Sequence, residues 1–206
     1  RRPPRSTLFP YTTLFRSLTL NHDTVLEECL SDADISITDG FDKRIRDISL
    51  WNPALFDPPN SRKLIKIHGS VNWYAYPASD SHGVTIYAKV FTSDVYHTSL
   101  ERFPRENRPL ILIGTISKLL RYTSVLFSEL QFQAQSALRA SNILVVVGYS
   151  FGDKGINNHI FDFLFRSPKT KLIIIHNNFK SLCAKALPAM QRSLPKYKTK
   201  GRVRLI

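Results

Sequence analysis

Three short polar segments contain residues that can bind a ligand or transfer a proton, and each follows an apolar stretch that predicts a strand. The segments are Asn21-His22-Asp23, His68-Gly69-Ser70 and Gly148-Tyr149-Ser150-Phe151-Gly152-Asp153. A histidine can accept a proton near neutral pH, and asparagine or aspartate can hold a sugar hydroxyl or an amide. Glycines allow close backbone approach to a ligand, and the start of a following helix suits a phosphate. Because loops converge at the strand ends of an α/β sheet, the segments predict one ligand pocket.

Each segment also has a purely structural interpretation. Asn21 and Asp23 suit the cap of a helix that begins near Thr24, where Glu27 would complete a capping box. Asp153 suits the cap of the helix after the third segment, which would then be an ordinary strand-to-helix turn. A single histidine is more often a structural residue than a catalytic one. The common position of the three segments favours ligand contact for His68. For Gly148 and Ser150, ligand contact is favoured by the family resemblance described below.

Apolar periodicity predicts the elements that must position these segments. Strands are predicted to end at Leu20 and to span Lys63–Ile67, Leu110–Ile113, Ile143–Gly148 and Lys171–Ile175, and helices to span Thr24–Leu30, 116–140 with a break near Tyr122-Thr123, and Ile156–Phe165. The run Ile143–Gly148 is continuous and rich in β-branched residues, which is typical of a strand buried on both faces. Strand, helix and strand follow one another from 143 to 175. This βαβ order predicts an α/β fold, a Rossmann-like parallel sheet with helices on both faces.

Two regions predict less regular structure. Residues 31–62 are broken by Asp, Gly, Asn and Pro and predict a loop with short strands, for instance around Ile35-Ser36-Ile37. Residues 71–109 mix aromatic residues with Gly, Ser and Pro and predict a small irregular insertion. The aromatic residues Trp51, Trp73 and Tyr74 are expected to pack in the protein rather than to stack on a ligand.

In this order and spacing, the three segments resemble the motifs of the sirtuin superfamily. The stretch T-L-N-H-D-T-V-L-E at 19–27 resembles the sirtuin T-Q-N-x-D motif, and K-I-H-G-S-V-N-W at 66–73 resembles the segment with the catalytic histidine. G-Y-S-F-G-D at 148–153 stands where sirtuins have G-T-S. With Ile156-Asn157, it is most similar to the G-Y-S-F-x-D-x-x-I-N pattern of the bacterial sirtuin-like branch. The resemblance covers residues 18–178.

The resemblance implies chemistry on NAD at the bond between nicotinamide and ribose. By this resemblance, His68 would act on a ribose hydroxyl as general base, and Asn21 would position water or the ribose. The positively charged nicotinamide leaves easily, and positive charge develops on the sugar. Such a site needs oriented dipoles and excluded water more than a strong acid.

The same resemblance implies how NAD is held. Asp23 would hold the nicotinamide side, and Gly148 and Ser150 would contact the phosphate or ribose region. Asn177 would reach the adenosine ribose. These assignments follow from the matched motifs and not from the spacing of the residues.

The sequence departs from true sirtuin deacylases, which carry a four-cysteine zinc site after the histidine segment. Here the two cysteines are Cys29 and Cys183, with none between them. We therefore expect no zinc and no typical protein deacetylase. The zinc-free branch is associated with NAD hydrolysis, often in bacterial defence against phage. The alternatives are a module that senses NAD or ADP-ribose without cleaving it, and an NAD-dependent protein deacylase.

The first residues resemble the product of a cloning step. T-L-F-P-Y-T-T-L-F-R-S at 7–17 looks like the in-frame translation of a DNA-sequencing adaptor. We therefore interpret residues 1–17 as an artefact, residues 18–180 as a partial NAD-binding domain and residues 181–206 as a basic C-terminal segment. The resemblance places a glycine-rich G-A-G-x-S loop and a central strand before Leu18. We expect this fragment to be inactive alone, and its parent to be a homo-oligomer with a fused or associated effector or sensor domain.

The formal charge of +13 is unevenly placed, because residues 166–206 contain 11 basic and no acidic residues. A basic tail can bind nucleic acid. Leu182, Leu187 and Met190 are interleaved with the charges, which favours a solvated, partly ordered terminus, so nucleic acid is not an expected partner. No apolar stretch is long enough to span a bilayer and no signal peptide is recognisable. The low cysteine content fits a reducing cytoplasm, where we expect the protein to reside.

Overall fold

A computed structural model describes residues 16–58, 61–78, 83–113 and 124–206. The chain divides into two units, Arg1–Ala134 and Gln135–Ile206, and each is described by itself. Among the described residues, the elements in chain order are β1 (Arg16–Thr19), α1 (Val25–Asp32), β2 (Ile48–Leu50), a 3-10 helix (Pro53–Phe56), β3 (Lys63–Lys66), β4 (Trp73–Pro77), β5 (Thr85–Val90), α2 (Val125–Arg139), β6 (Ile143–Val147), α3 (Lys154–Arg166), β7 (Lys171–Ile175), α4 (Phe179–Lys185), α5 (Pro188–Thr199) and β8 (Val203–Leu205). This mixture of helices with parallel sheets confirms the predicted α/β class.

The first unit contains a parallel pair formed by β1 and β3. Arg16 lies opposite Lys63 and Thr19 opposite Lys66. The pairing begins at Arg16, two residues before the native start expected at Leu18. Each strand ends two residues before the start of a predicted site segment, so the parallel register brings the first two segments to one edge of this sheet.

The first unit also contains a three-stranded antiparallel sheet in the order β2-β5-β4. Its core consists of Ile48, Tyr76, Ala88 and Val90. The prediction of an irregular insertion over 71–109 is therefore wrong, because β4 and β5 pair over five residues. The Gly, Ser and Pro residues lie largely between and after the strands, and they concealed the regular pairing.

Aromatic residues pack together beside this sheet, as the sequence predicts for the tryptophans. The Phe41 ring lies 5.2 Å from the ring of Trp51 and 4.9 Å from that of Trp73. Trp51 also lies 5.9 Å from Phe56 of the 3-10 helix. Trp73 and Phe56 are fully buried, which gives both a packing role.

Two predicted strands are reduced to single bridges. No strand forms at Ile35-Ser36-Ile37; instead Thr38 makes one parallel bridge to Lys63. Residues 110–113 make only one bridge, from Ile111 to Gly69. Leu110 and Leu112 are nevertheless buried, so the apolar pattern reflects burial of an extended segment without a ladder.

The second unit is built on a parallel sheet in the order β6-β7-β8. The predicted strand–helix–strand order is confirmed, with α3 between β6 and β7. Helix α2 begins in the first unit and ends in the second; positions 116–123 of the predicted helix, including its break, lie outside the described residues. The core of the second unit combines side chains from the sheet and from three helices: Val146, Phe151, Ile160, Phe163, Leu164, Leu172, Ile174, Leu182, Ala186, Met190, Leu194 and Val203.

Strand β6 is not buried on both faces as predicted. Ile143, Val145 and Val147 are 57%, 50% and 65% exposed, whereas Val146 is buried. In the sheet of the second unit, β6 is also an edge strand, because it pairs with β7 alone. A continuous apolar run does not reveal how many of its faces are covered, which explains the error.

Residues 181–206 are not a solvated terminus. Leu182, Met190, Leu194 and Val203 are buried in the core of the second unit, and β8 extends its sheet. The boundary expected at residue 180 therefore does not separate two folding units. The sequence did indicate that this segment folds, because its apolar residues lie at helical spacing between the charged ones.

Candidate functional site

The first two predicted segments lie side by side in the first unit. The backbone N–H of Val71 donates to the His22 carbonyl at 2.8 Å, and the Ser70 hydroxyl donates to the same oxygen at 3.2 Å. The ring centroids of His22 and His68 lie 6.1 Å apart and are tilted by 29°. The structure thus brings His68 together with the turn that contains Asn21 and Asp23.

The turn around His68 is locked by the extended segment that follows β5. The N–H of Leu112 donates to the His68 carbonyl at 2.9 Å, and the N–H of Ser70 donates to the Leu110 carbonyl at 3.2 Å. Gly69 has φ +81°, and a Cβ there would lie 1.9 Å from the Leu110 oxygen. Only glycine fits between these two segments. His68 itself is 8% exposed, so its ring is held in a largely water-excluded place.

Asn21 and Asp23 are exposed, so both side chains are accessible to a ligand. Asp23 Oδ1 also accepts a hydrogen bond from the Val25 N–H at 3.2 Å, so this carboxylate helps to start α1. The capping box with Glu27 does not form. The N-cap is Thr24, which makes no side-chain cap, and Glu27 pairs with Lys66 instead.

The third segment is a tight turn between β6 and α3 in the second unit. Gly148 has φ +68°, and a Cβ built there meets no atom within 4 Å. Phe151 has φ +57°, which is unusual for a bulky residue, yet its side chain is fully buried. The turn therefore holds a strained conformation while its first glycine keeps open space on one side.

Hydrogen bonds within this turn give structural roles to Tyr149 and Asn157, two residues of the motif around Ser150. The Tyr149 hydroxyl accepts the Asp153 N–H at 3.1 Å and lies 2.9 Å from Asn157 Oδ1. Asn157 Nδ2 donates to the Phe151 carbonyl at 2.9 Å. Burial raises the pKa of Tyr149 to about 12, so its hydroxyl stays protonated at neutral pH. Sequence reasoning noted Tyr149 and Asn157 in the pattern but gave them no role.

Asp153 is the helix cap that its structural interpretation predicted. Its Oδ1 accepts the N–H groups of Gly155 at 2.8 Å and Ile156 at 3.2 Å. Asn177 is exposed and lies two residues after the end of β7. Because Val147 pairs with Ile175, Gly148 and Asn177 follow neighbouring strands at the same sheet edge.

Two depressions in the first unit lie away from these turns. Shallow depressions of the first unit are lined by residues 42–50 with Ser99 and by residues 96–103, and they contain no predicted site residue. No cluster of three or more His, Cys, Asp or Glu side chains suited to a metal ion occurs among the described residues. No helix in the described ranges is long and apolar enough to cross a membrane.

An α/β domain with polar turns at the ends of parallel strands defines a class of ligand-binding domains. Within that class, the model of the SIR2-like domain family matches residues 16–198, and the chain belongs to this family of NAD-binding, sirtuin-like domains. One similar solved structure is a sirtuin described under the words "The Structural basis for Sirtuin Substrate affinity". It is 15% identical, with 94% of this chain and 76% of that chain covered and a TM-score of 0.37. No curated protein matches the chain.

Proposed function

We propose that this chain is the NAD-binding domain of an enzyme that hydrolyses NAD at the bond between nicotinamide and ribose. One observation carries the proposal: His68 and the Asn21–Asp23 turn are held together at the ends of two parallel strands. The membership in the SIR2-like family supports NAD as the ligand. The defence role against phage is part of the same proposal and rests on the resemblance to the zinc-free bacterial branch.

In the proposed reaction, the bond between the ribose C1′ and the nicotinamide nitrogen breaks, and its electron pair neutralises the pyridinium ring. Water then bonds to C1′, so that NAD and water give nicotinamide, ADP-ribose and a proton. His68 acts on a ribose hydroxyl as general base, and Asn21 positions the water or the ribose. The burial of His68 limits competing solvent, which suits a site where positive charge develops.

The remaining predicted residues are proposed to bind NAD without reacting. Asp23 is exposed beside Asn21 and can accept hydrogen bonds from the nicotinamide amide. The open side of Gly148 leaves room for a phosphate or ribose, with Ser150 next to it as a donor. Asn177 is exposed at the neighbouring strand end and suits the adenosine ribose.

For the whole protein, we propose a cytoplasmic homo-oligomer that uses no zinc and carries a fused or associated effector or sensor domain. The resemblance implies a glycine-rich segment before Leu18 as part of the NAD site. The longer form named in the experiments below is the parent protein with that segment, and nicotinamide release is tested in it.

The first prediction concerns His68. The longer form, incubated with NAD, is expected to release nicotinamide, and His68→Ala should reduce kcat by at least about a hundredfold because the general base is lost. His97→Ala is the matched control, since His97 is an exposed histidine of the first unit that pairs with Asp94. Nicotinamide and ADP-ribose are quantified by chromatography.

Equal turnover by the His68 and His97 variants would refute the role of His68. NAD binding without nicotinamide release would refute hydrolysis and support the sensing alternative. Release that depends on an acylated peptide would support the deacylase alternative.

A further inference from the structure

Lys66 is a buried cation at the end of β3, two residues before His68. Its side chain is 1% exposed, and its ammonium lies 2.9 Å from Glu27 Oε1 on α1. The same ammonium donates a hydrogen bond to the backbone carbonyl of Asp23. A buried ammonium is strongly destabilising unless it is paired, and both partners here come from the segment that follows β1.

These contacts connect the two halves of the candidate site in the first unit. The Asp23 carbonyl receives the Lys66 ammonium, while the His22 carbonyl receives the N–H of Val71. The turn after β1 is thus held from the strand before His68 and from the segment after it. Loss of the Lys66 ammonium would remove the hydrogen bond that joins the Asn21–Asp23 turn to β3, and it would leave the His68 ring itself unchanged.

An apolar pair of similar volume commonly stabilises a fold as well as a buried ion pair does. Stability by itself therefore does not account for a lysine at this position. The lysine differs from an apolar residue in one respect that matters here, because it can donate to a backbone carbonyl in the turn of the candidate site.

We propose that Lys66, with Glu27, is a positioning residue that sets Asn21 and Asp23 relative to His68 for the chemistry on NAD. This inference rests on the proposed function. Lys66 touches neither NAD nor His68 in the proposal; it acts through the Asp23 carbonyl and through Glu27.

The chain offers a matched control in the same unit. Lys89 on β5 forms a second largely buried ion pair, with Asp39, where the two side chains are 12% and 11% exposed. Lys89 also lies 5.4 Å from the centre of the Phe41 ring. Lys89 lies in the antiparallel sheet, and Asp39 follows Thr38, which bridges to Lys63 at the start of β3 and not at its end. The pair is therefore separate from the turns at the ends of β1 and β3, and its loss should affect stability alone.

The kinetic test compares Lys66→Met, Lys89→Met and the double variant Lys66→Met/Glu27→Met in the longer form. We expect Lys66→Met to lower kcat at least about tenfold, because small misplacements of site residues have large effects, while Lys89→Met stays within about twofold of the unchanged protein. The double variant should regain resistance to urea without regaining kcat. Recovery of kcat together with stability, or equal losses in the Lys66 and Lys89 variants, would overturn the proposal.

A second measurement separates this inference from the proposed function. In the 206-residue chain, hydrogen exchange is followed by mass spectrometry, and Lys66→Met should accelerate exchange over residues 20–24 and 68–71 whereas Lys89→Met should not. If the unchanged protein releases no nicotinamide but this pattern appears, the proposed function fails and the positioning contact stands. Unchanged exchange in these segments would overturn the positioning role whatever the activity. If Lys66→Met does not fold, the double variant Lys66→Met/Glu27→Met removes both charges and the bond to the Asp23 carbonyl, and it is judged by the same criteria.

Discussion

At the scale of single residues, Gly69 and Gly148 adopt similar left-handed conformations for different reasons. At Gly69 the protein's own backbone fills the space that a Cβ would occupy. At Gly148 that space is open. Gly69 is therefore fixed by folding, whereas Gly148 combines a demanding backbone conformation with room for a ligand.

This difference gives a prediction for Gly148. Gly148→Ala and Gly201→Ala place a side chain at nearly equal φ angles of +68° and +67°, both in open surroundings in the second unit. Each should lose about 1–2 kcal/mol of unfolding free energy from the left-handed conformation. Only Gly148→Ala should weaken NAD binding, by about tenfold or more, as measured by calorimetric titration of the longer form. Equal NAD affinities of the two variants would remove Gly148 from the site.

At the scale of elements, the turn between β6 and α3 is braced from within and from its surroundings. The Phe151 carbonyl accepts the Asn157 side chain and also the N–H of Leu187 at 3.1 Å, at the start of α5. The Phe151 ring lies 5.0 Å from that of Tyr149. Such bracing keeps a strained turn in one conformation, as a ligand-binding turn requires.

Ionisation of Tyr149 is expected to make the stability of this turn depend on alkaline pH. Burial raises its folded pKa to about 12 from the ordinary 10.0, so folding favours the protonated form. The associated stability is complete below pH 10 and is lost as the pH rises towards 12. Chemical unfolding of the second unit should therefore show a downward slope over this range that is smaller in Tyr149→Phe. Tyr76→Phe is the control, because the pKa of Tyr76 is also raised to about 12 but this residue belongs to the first unit. Identical slopes for the unchanged chain and Tyr149→Phe would show that ionisation of Tyr149 does not destabilise the turn.

The elements that the sequence predicted well are those whose apolar residues recur with one clear period. Strand β7 was placed correctly, and α3 within two residues at each end, since Ile160, Phe163 and Leu164 recur on one helix face. Strand β8 was missed, and β2 was not located among the short strands predicted within 31–62, because three residues are too few to show an alternating pattern. The contact of His22 with His68 could not be foreseen, because it depends on the register of β1 and β3 rather than on either segment alone. The Lys66–Glu27 pair was hidden for the same reason, and the capping motif suggested a different partner for Glu27.

At the scale of the whole molecule, the basic residues that make the charge uneven are built into the folded second unit. The ion pairs Lys66–Glu27, Lys89–Asp39, His97–Asp94 and Arg108–Glu106 lie in the first unit, whereas the basic residues of 166–206 belong to the second. Arg202 shows how such a cation is used, because it donates to the Ser167 carbonyl at 2.8 Å and to Thr170 Oγ1 at 2.6 Å. It thereby connects the start of β8 to the segment after α3.

The sequence motifs predict that one NAD molecule contacts all three polar turns, and hydrogen exchange in the presence of NAD tests this prediction most directly. With the longer form, we expect NAD to slow exchange over residues 20–24, 67–71 and 147–152 together, and to leave residues 39–47 unchanged as an internal reference. Protection confined to one of the three turns, or none at saturating NAD, would contradict the proposed site.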